Sequence, residues 1–301
     1  MTQKAFREFL PNGRTRLLGI LGDPIDHSLS PELHSAVLRK LDQNLLYVPV
    51  PVSSARLRAF LGLAAELGFR GCNVTTPFKE SVLRSAEPRD VETRRTKMAN
   101  TLTFVPGRKP MAEGTDGRGI VGWLEDHGLG DEPFGVLGFG ATARSLVHAS
   151  WRGGRPPALV VTRRAAPVKR LLSGWRVEPG RDRLRAVPPE VSTVEQVGEP
   201  GTLSGVVPKV WVSTWPPGTM PPAAFWSRLR PRSLVLDMNY GEGRTTMADA
   251  ARREGHRAAD GLGPLLQQAA RSLSIWLDRP VEPELFRLAA GVPKRRLGPS
   301  R

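Results

Sequence analysis

Short apolar runs alternate along the chain with segments whose apolar positions recur every three or four residues, the signature of strands and amphipathic helices in turn. Residues 17–22, Leu-Leu-Gly-Ile-Leu-Gly, read as a buried strand that runs into a loop over 23–30. Pro31, at a first helical position, opens a helix to about residue 40, with Leu33, Val37 and Leu38 on one face. A second strand follows over 45–52, then an amphipathic helix over 54–67 stopped by Gly68. Residues 71–75 form a third strand, succeeded by a proline-containing turn and a helix from about Lys79. This alternation predicts parallel α/β layering.

A second α/β unit begins near Thr115. Its pattern predicts a helix over 117–127, a strand over 134–137, a helix to about Trp151 and a strand over 158–162. Further strands fall at 210–212 and 234–237, and a long helix at 264–277 closes the pattern. Residues 174–205 are rich in Pro, Gly and Arg, with too little periodicity to predict an element. Residues 291–301 are basic and contain Pro and Gly, and are expected to fray.

Composition narrows the class. The chain has 301 residues, 40% hydrophobic and 24% charged, enough for about two domains with their own cores. No stretch reaches the ~20 apolar residues of a membrane span, and the first residues lack the apolar core of a secretory signal. Cys72 is the sole cysteine, so no internal disulfide or cysteine-based zinc site is available and a reducing cytoplasm is expected. The five histidines show no metal-ligand spacing, although His27 and His34 could lie near each other; no metal is expected.

The formal charge is +15, and only eight of the 44 basic residues are Lys. The basic clusters, such as Arg163-Arg164, Arg252-Arg253 and Lys294-Arg295-Arg296, are dispersed. A basic face could bind nucleic acid, but no zinc-finger or RNA-binding pattern accompanies it. A surface that attracts small anions is the favoured reading.

Candidate chemistry lies in two places. Gly138-Phe-Gly140-Ala141-Thr-Ala143 falls between an apolar strand and a helix, the context a dinucleotide fingerprint requires; a plain strand-turn-helix would look the same. Gly138 permits the tight turn, Gly140 lets the backbone approach a pyrophosphate, and Ala143 allows close helix packing. After the next strand, where an NAD site would carry an acid, stands Thr162-Arg163-Arg164. A guanidinium there holds a 2′-phosphate that a carboxylate would repel, which favours NADP(H). The N-terminal half offers the hydroxyls of Ser28 and Ser30, or Ser30 merely as the cap of the helix opened by Pro31. It also offers Asn73, Thr75 and Lys79 at a strand end and turn, then Asn100-Thr101 and Gly114-Thr115-Asp116-Gly117.

Taken in order, these segments resemble the shikimate dehydrogenase family along nearly the whole chain. They run Gly22-x-Pro24 with His27-Ser28-x-Ser30-Pro31, Asn73-Val74-Thr75-x-Pro77-Phe78-Lys79, Ala99-Asn100-Thr101-Leu102 and Thr115-Asp116-Gly117. After the glycine turn come Asp237-Met238-x-Tyr240 and Asp260-Gly261-Leu262-Gly263 with Gln268. The resemblance implies an α/β fold with an N-terminal α/β substrate-binding domain (1–114, completed by helices within 260–290), a Rossmann-like NADP-binding domain (115–259), a cleft between them and a basic flexible tail (291–301). It implies NADPH-dependent reduction of 3-dehydroshikimate to shikimate, in chorismate biosynthesis, by a cytoplasmic monomer or homodimer. By position, Lys79 and Asp116 would be the catalytic pair, and Ser28 and Ser30 would hold the carboxylate of a polyhydroxy cyclohexene acid. Thr75, Asn100, Asp116, Tyr240 and Gln268 would complete the substrate site. Gly138, Gly140, Ala141, Thr162, Arg163, Arg164, Met238 and Gly261 would face the cofactor. Quinate or an aminoshikimate would fit the same framework, and a silent ligand-binding homologue would share the fold. Four positions depart from the family's pattern: Gly114 where Asn is common, Ala141 for a third close glycine, Thr162 before Arg163, and Ser213-Thr214-Trp215, whose indole is expected to narrow the cleft.

Overall fold

The computed structural model describes residues 10–155, 157–175, 193–196 and 207–300. In chain order the first half comprises β1 (Arg16–Gly22), α1 (Ser30–Lys40), β2 (Leu45–Pro51), α2 (Leu57–Leu63) and β3 (Phe69–Val74). A single 3-10 turn (Ser81–Arg84) precedes β4 (Glu87–Pro88), α3 (Val91–Thr96), β5 (Thr101–Thr103) and β6 (Met111–Glu113). These strands form one sheet in the order β2-β1-β3-β5-β6-β4.

The first sheet is mixed rather than wholly parallel. β1 pairs in parallel with β2 and β3, as the pattern predicted. β3 with β5 and β5 with β6 are antiparallel. The β5–β6 connection is a short turn, with Gly107 at φ +71° and Arg108 N–H bonded to Val105 O, and so short a link permits only a hairpin. The helix expected from Lys79 is not formed. Phe78 is buried, and the chain beyond it closes bonds three residues back, Leu83 N–H to Glu80 O and Ser85 N–H to Val82 O, which make a 3-10 turn instead. The helix expected over 54–67 is confined to α2, with hydrogen-bonded turns on either side.

The second half begins with α4 (Asp116–Asp126) and continues through β7 (Phe134–Leu137), α5 (Ala141–Arg152), β8 (Leu159–Thr162), α6 (Ala165–Trp175) and β9 (Thr193–Gln196). Then come β10 (Val210–Ser213), α7 (Ala223–Trp226), β11 (Leu234–Asp237), α8 (Thr246–Arg253) and β12 (Arg257–Asp260). All six strands are parallel, in the order β9-β8-β7-β10-β11-β12. The winding direction reverses between β7 and β10, and such a switch point opens a crevice at the carboxyl ends of the strands. The end of α6 and β9 fall in the stretch for which no element was predicted; residues 176–192 and 197–205 lie outside the described residues.

The chain then returns through α9 (Leu262–Leu277), α10 (Pro283–Ala289) and α11 (Lys294–Leu297). α9 packs with α1 and α10 over the first sheet, where Leu18, Leu38, Trp276 and Phe286 are fully buried. Trp276 donates its indole N–H to Leu102 O at 2.9 Å, and its ring occupies the space that a side chain at Gly71 would need. Leu21, Val74, Phe78 and Leu102 fill the opposite face. The second sheet is likewise covered on both faces, by a cluster around Trp123, Val136 and Leu146 and another around Leu137, Trp211 and Met247. Contrary to the expected fraying, the C-terminal residues dock. Trp123 donates to Leu297 O at 2.8 Å, Arg296 pairs with the buried Asp260, and Ser300 bridges Ala258. Part of the segment's positive charge thus meets a buried carboxylate.

Candidate active site

The ends of β1 and β3 and the switch point of the second sheet open into one cleft of about 470 Å3. At its floor Lys79 Nζ lies 2.6 Å from Asp116 Oδ2, and donates to Thr142 Oγ1 at 3.1 Å. The two charged side chains are only 16% and 12% exposed, so their attraction is screened far less than a surface pair's. Asp116 begins α4, and the helix amides favour its negative charge. Thr142, in the first turn of α5, ties the ammonium to the second half of the chain.

A buried polar network holds that pair. Asn100 Nδ2 donates to Asp116 Oδ1 at 2.7 Å and to Thr115 Oγ1 at 2.8 Å, while Asn100 Oδ1 accepts the Thr115 N–H at 2.7 Å. Gln268 Oε1 accepts from Asn100 at 3.2 Å. Below them the hydroxyls of Thr101, Thr115 and Ser272 are mutually bonded, and Ser272 accepts from Asn73, whose Oδ1 accepts the Tyr47 hydroxyl at 2.8 Å. A satisfied network in a low-dielectric interior fixes rotamers that a lone pair would not.

Ser30, Thr75, Tyr240 and Gln268 line the cleft with Lys79, Asn100 and Asp116. Ser30 is not the helix cap: Leu29 occupies that position with no side-chain bond, and the Ser28 hydroxyl accepts the Ser30 N–H at 3.3 Å. Ser28 is not among the residues lining the cleft, but its hydroxyl is a hydrogen-bond partner of Tyr240, which is. Burial pushes the Tyr240 phenol up from its ordinary value, the Ser28 hydroxyl and Leu29 backbone opposing it, so the phenol keeps its proton at neutral pH. His27 lines the cleft, whereas His34 is buried, stacked on Tyr47 at 4.2 Å; burial holds its imidazole neutral, down to about 3. The two do not share a site. Among the described residues no cluster of His, Cys, Asp and Glu suits a metal ion.

The other wall suits a dinucleotide. Gly138 sits at φ +98°, and a Cβ there would meet Thr214 Oγ1 at 2.6 Å, so only glycine fits. Gly140 caps α5 in an extended conformation with open space before it, and no side chain caps this twelve-residue helix. Its first amides are therefore free for an anion, with Ala141 beside them. Gly138 N–H bonds Val161 O, which aligns the end of β8 with the turn. There Thr162 is buried while Arg163 and Arg164 are exposed, free to reach a phosphate. Trp215 lines the cleft beside Gly138. Asp237, wholly buried, accepts from Asn239 and from the Met247 and Ala248 amides, which pins the loop carrying Met238 and Tyr240. Gly261 meets that loop closely, since a Cβ would lie 2.2 Å from Met238 O.

Residues 20–102 match the model of the shikimate dehydrogenase substrate binding domain. A shikimate dehydrogenase (NADP(+)) of Cereibacter sphaeroides is 34% identical over 282 residues, covering 90% of this chain and 94% of its own. The chain belongs to the shikimate dehydrogenase family. Its fold matches the crystal structure of a shikimate dehydrogenase in complex with NADP+ at a TM-score of 0.77, with 23% identity and coverage of 93% and 96% of the two chains. The Thermus thermophilus shikimate 5-dehydrogenase in complex with NADP(H) and shikimate matches at 0.71, with 24% identity and coverage of 94% and 100%. The α/β architecture with a Rossmann-like second sheet is that of the family.

Several contributors carried no legible role in the sequence. Thr142 occupies a variable position of the glycine turn. Ser272 lies one helical turn beyond Gln268 on the same face of α9, a spacing that could have marked it. Glu92, in a segment without a motif, fills the space beside Gly114: a Cβ there would lie 2.5 Å from its carboxylate. Glu92 accepts the Ser145 hydroxyl, and burial raises it from 4.5 to about 7 despite Ser145 and Arg118. The departure at Gly114 is thus accompanied by a buried acid at the junction of α3 and α5.

Proposed function

We propose that this chain is an NADP-dependent shikimate dehydrogenase, interconverting 3-dehydroshikimate and shikimate. The observation that carries the proposal is the Lys79–Asp116 pair, set in a cleft one wall of which is an uncapped helix N-terminus with two exposed arginines near it. Gly138, Gly140 and Ala141 would hold the pyrophosphate of NADPH, which when bound would supply a hydride for the ring carbonyl. Arg163 and Arg164 would hold the 2′-phosphate, and Met238 and Gly261 would line the nicotinamide end. Lys79 gives a proton to the carbonyl oxygen as negative charge develops there, and takes it back when the alcohol is oxidised. Asp116 orients the ammonium and accepts the neighbouring ring hydroxyl. Thr75, Asn100 and Gln268 bind ring hydroxyls; Ser28, Ser30 and Tyr240 receive the carboxylate. Alignment across the cleft supplies the remainder of the rate.

We place the enzyme in the cytoplasm as a monomer or homodimer, its charge of +15 gathering anionic substrate and cofactor rather than nucleic acid. The test follows nicotinamide absorbance at 340 nm with shikimate, quinate and aminoshikimate, each with NADP+ and NAD+. Fastest turnover with shikimate and NADP+ supports the assignment; preference for quinate or aminoshikimate moves it to a specialised dehydrogenase. No turnover with any pair sinks it.

A further inference from the structure

The substrate end of the cleft carries a second cation. Arg244 lines the same cavity as Ser30, Lys79 and Tyr240. Lys79 is held by Asp116, but no carboxylate among the described residues pairs with the Arg244 guanidinium. Among the described residues, the Asp, Glu, Lys and Arg side chains lining the cleft are Asp23, Lys79, Asp116 and Arg244. With Lys79 and Asp116 matched, a carboxylate entering between hydroxyls alone would face Asp23 with no counter-charge. Arg244 is the cation left to meet it, and a guanidinium binds a carboxylate through two parallel charge-assisted bonds where a hydroxyl offers one weaker one.

The loop between β11 and α8 aims this side chain. Arg244 N–H bonds Gly241 O in a turn that has Gly241 at φ +91° and Gly243 at φ +69°. Asp237 anchors the far end through the Met247 and Ala248 amides at 3.1 and 3.3 Å. The side-chain stem folds back over Gly241, with Cδ 3.9 Å from where a Cβ would be. The charge registers at two neighbours that line the same cleft: after burial it is the next cause that depresses His27, and it opposes the rise at Tyr240. Tyr240 in turn faces Ser28, so hydroxyl, phenol and guanidinium converge on one corner.

We propose that Arg244 binds the ring carboxylate of the substrate together with Ser28, Ser30 and Tyr240, and thereby sets the preference for the acid over its uncharged analogues. This specificity role rests on the dehydrogenase reading above and deepens it.

The experiment compares wild type, Arg244→Gln and Arg244→Lys in steady-state oxidation of shikimate and of shikimate methyl ester by NADP+, with calorimetric titration of both compounds. Loss of a charged hydrogen-bonded partner predicts a rise in KM and Kd for shikimate of roughly tenfold to a hundredfold in Arg244→Gln. The fall in kcat should be far smaller, and Lys should recover part of the loss. Constants for the ester should be alike in wild type and Arg244→Gln. A change in the Kd for shikimate of less than about twofold, or equal losses for acid and ester, overturns the role of Arg244. Wild type that binds shikimate without oxidising it defeats the dehydrogenase reading alone, and Arg244 is then judged on Kd. Wild type that neither binds nor oxidises shikimate defeats both.

Discussion

Replacing Lys79 by Ala removes the ammonium 2.6 Å from Asp116 and 3.1 Å from Thr142, and with it the proton donor for the developing alkoxide. Asp116 keeps its bond from Asn100 at 2.7 Å, so the carboxylate stays in place and hydroxyl binding survives. A positioned acid–base group contributes typically about 10²–10⁴-fold, some 3–5 kcal/mol of barrier. The expected result is therefore a fall in kcat of that size in both directions, with KM for shikimate changed far less. Stability should fall as well, because removing one partner of a mostly buried pair leaves Asp116 without its counter-charge and with the Asn100 bond as remaining support. Initial rates at 340 nm and thermal unfolding by circular dichroism measure both quantities. A folded Lys79→Ala protein with undiminished kcat would refute the mechanism. So would a loss confined to KM, since that would make Lys79 a binding residue only.

Two other outcomes follow from the same geometry. Arg163→Ala should weaken NADPH by roughly tenfold to a hundredfold, the worth of one charged hydrogen bond, and leave NADH nearly untouched; equal losses in fluorescence titrations would place the 2′-phosphate elsewhere. Glu92 has its folded value raised from 4.5 to about 7, so the native state retains a proton that the unfolded chain has released across that window. Its contribution is present at low pH and is lost as pH climbs from about 4.5 to about 7. Glu92→Gln, which cannot ionise, should flatten the decline of the melting temperature over this window; an unchanged slope would show that Glu92 does not cause it.

Much of the fold was legible because its strands are buried on both faces. β1, β7, β8 and β11 are continuous apolar runs, and each stands out from its surroundings. β5 and β6 are three residues each, with Thr and Glu among them, and draw their order from pairing with β3 rather than from their own pattern. The 3-10 turn after Lys79 escaped for a related reason: the burial of Phe78 overrides local helix preference. The docking of 294–300 depends on the buried Asp260 and on Trp123, both distant in sequence.

At the site the divide is similar. Lys79, Asp116, Asn100 and Gln268 stand in recognisable segments, and the structure brings all four together. Of their supports, Tyr47 and Thr142 matter only through contacts made across the fold, so nothing adjacent in sequence marks them, and Ser272 is marked only by its spacing from Gln268. Arg244 lay hidden in a chain with 44 basic residues, where one more arginine carries no signal until its neighbours are known.

The most direct measurement is a crystal structure of the ternary complex with shikimate and NADP+. The account places the hydroxyl to be oxidised within about 2.6–3.2 Å of Lys79 Nζ, Asp116 on the adjoining hydroxyl, and the nicotinamide on the face toward Gly261. A ring bound away from Lys79, or a dinucleotide bound away from the amino end of α5, would contradict it.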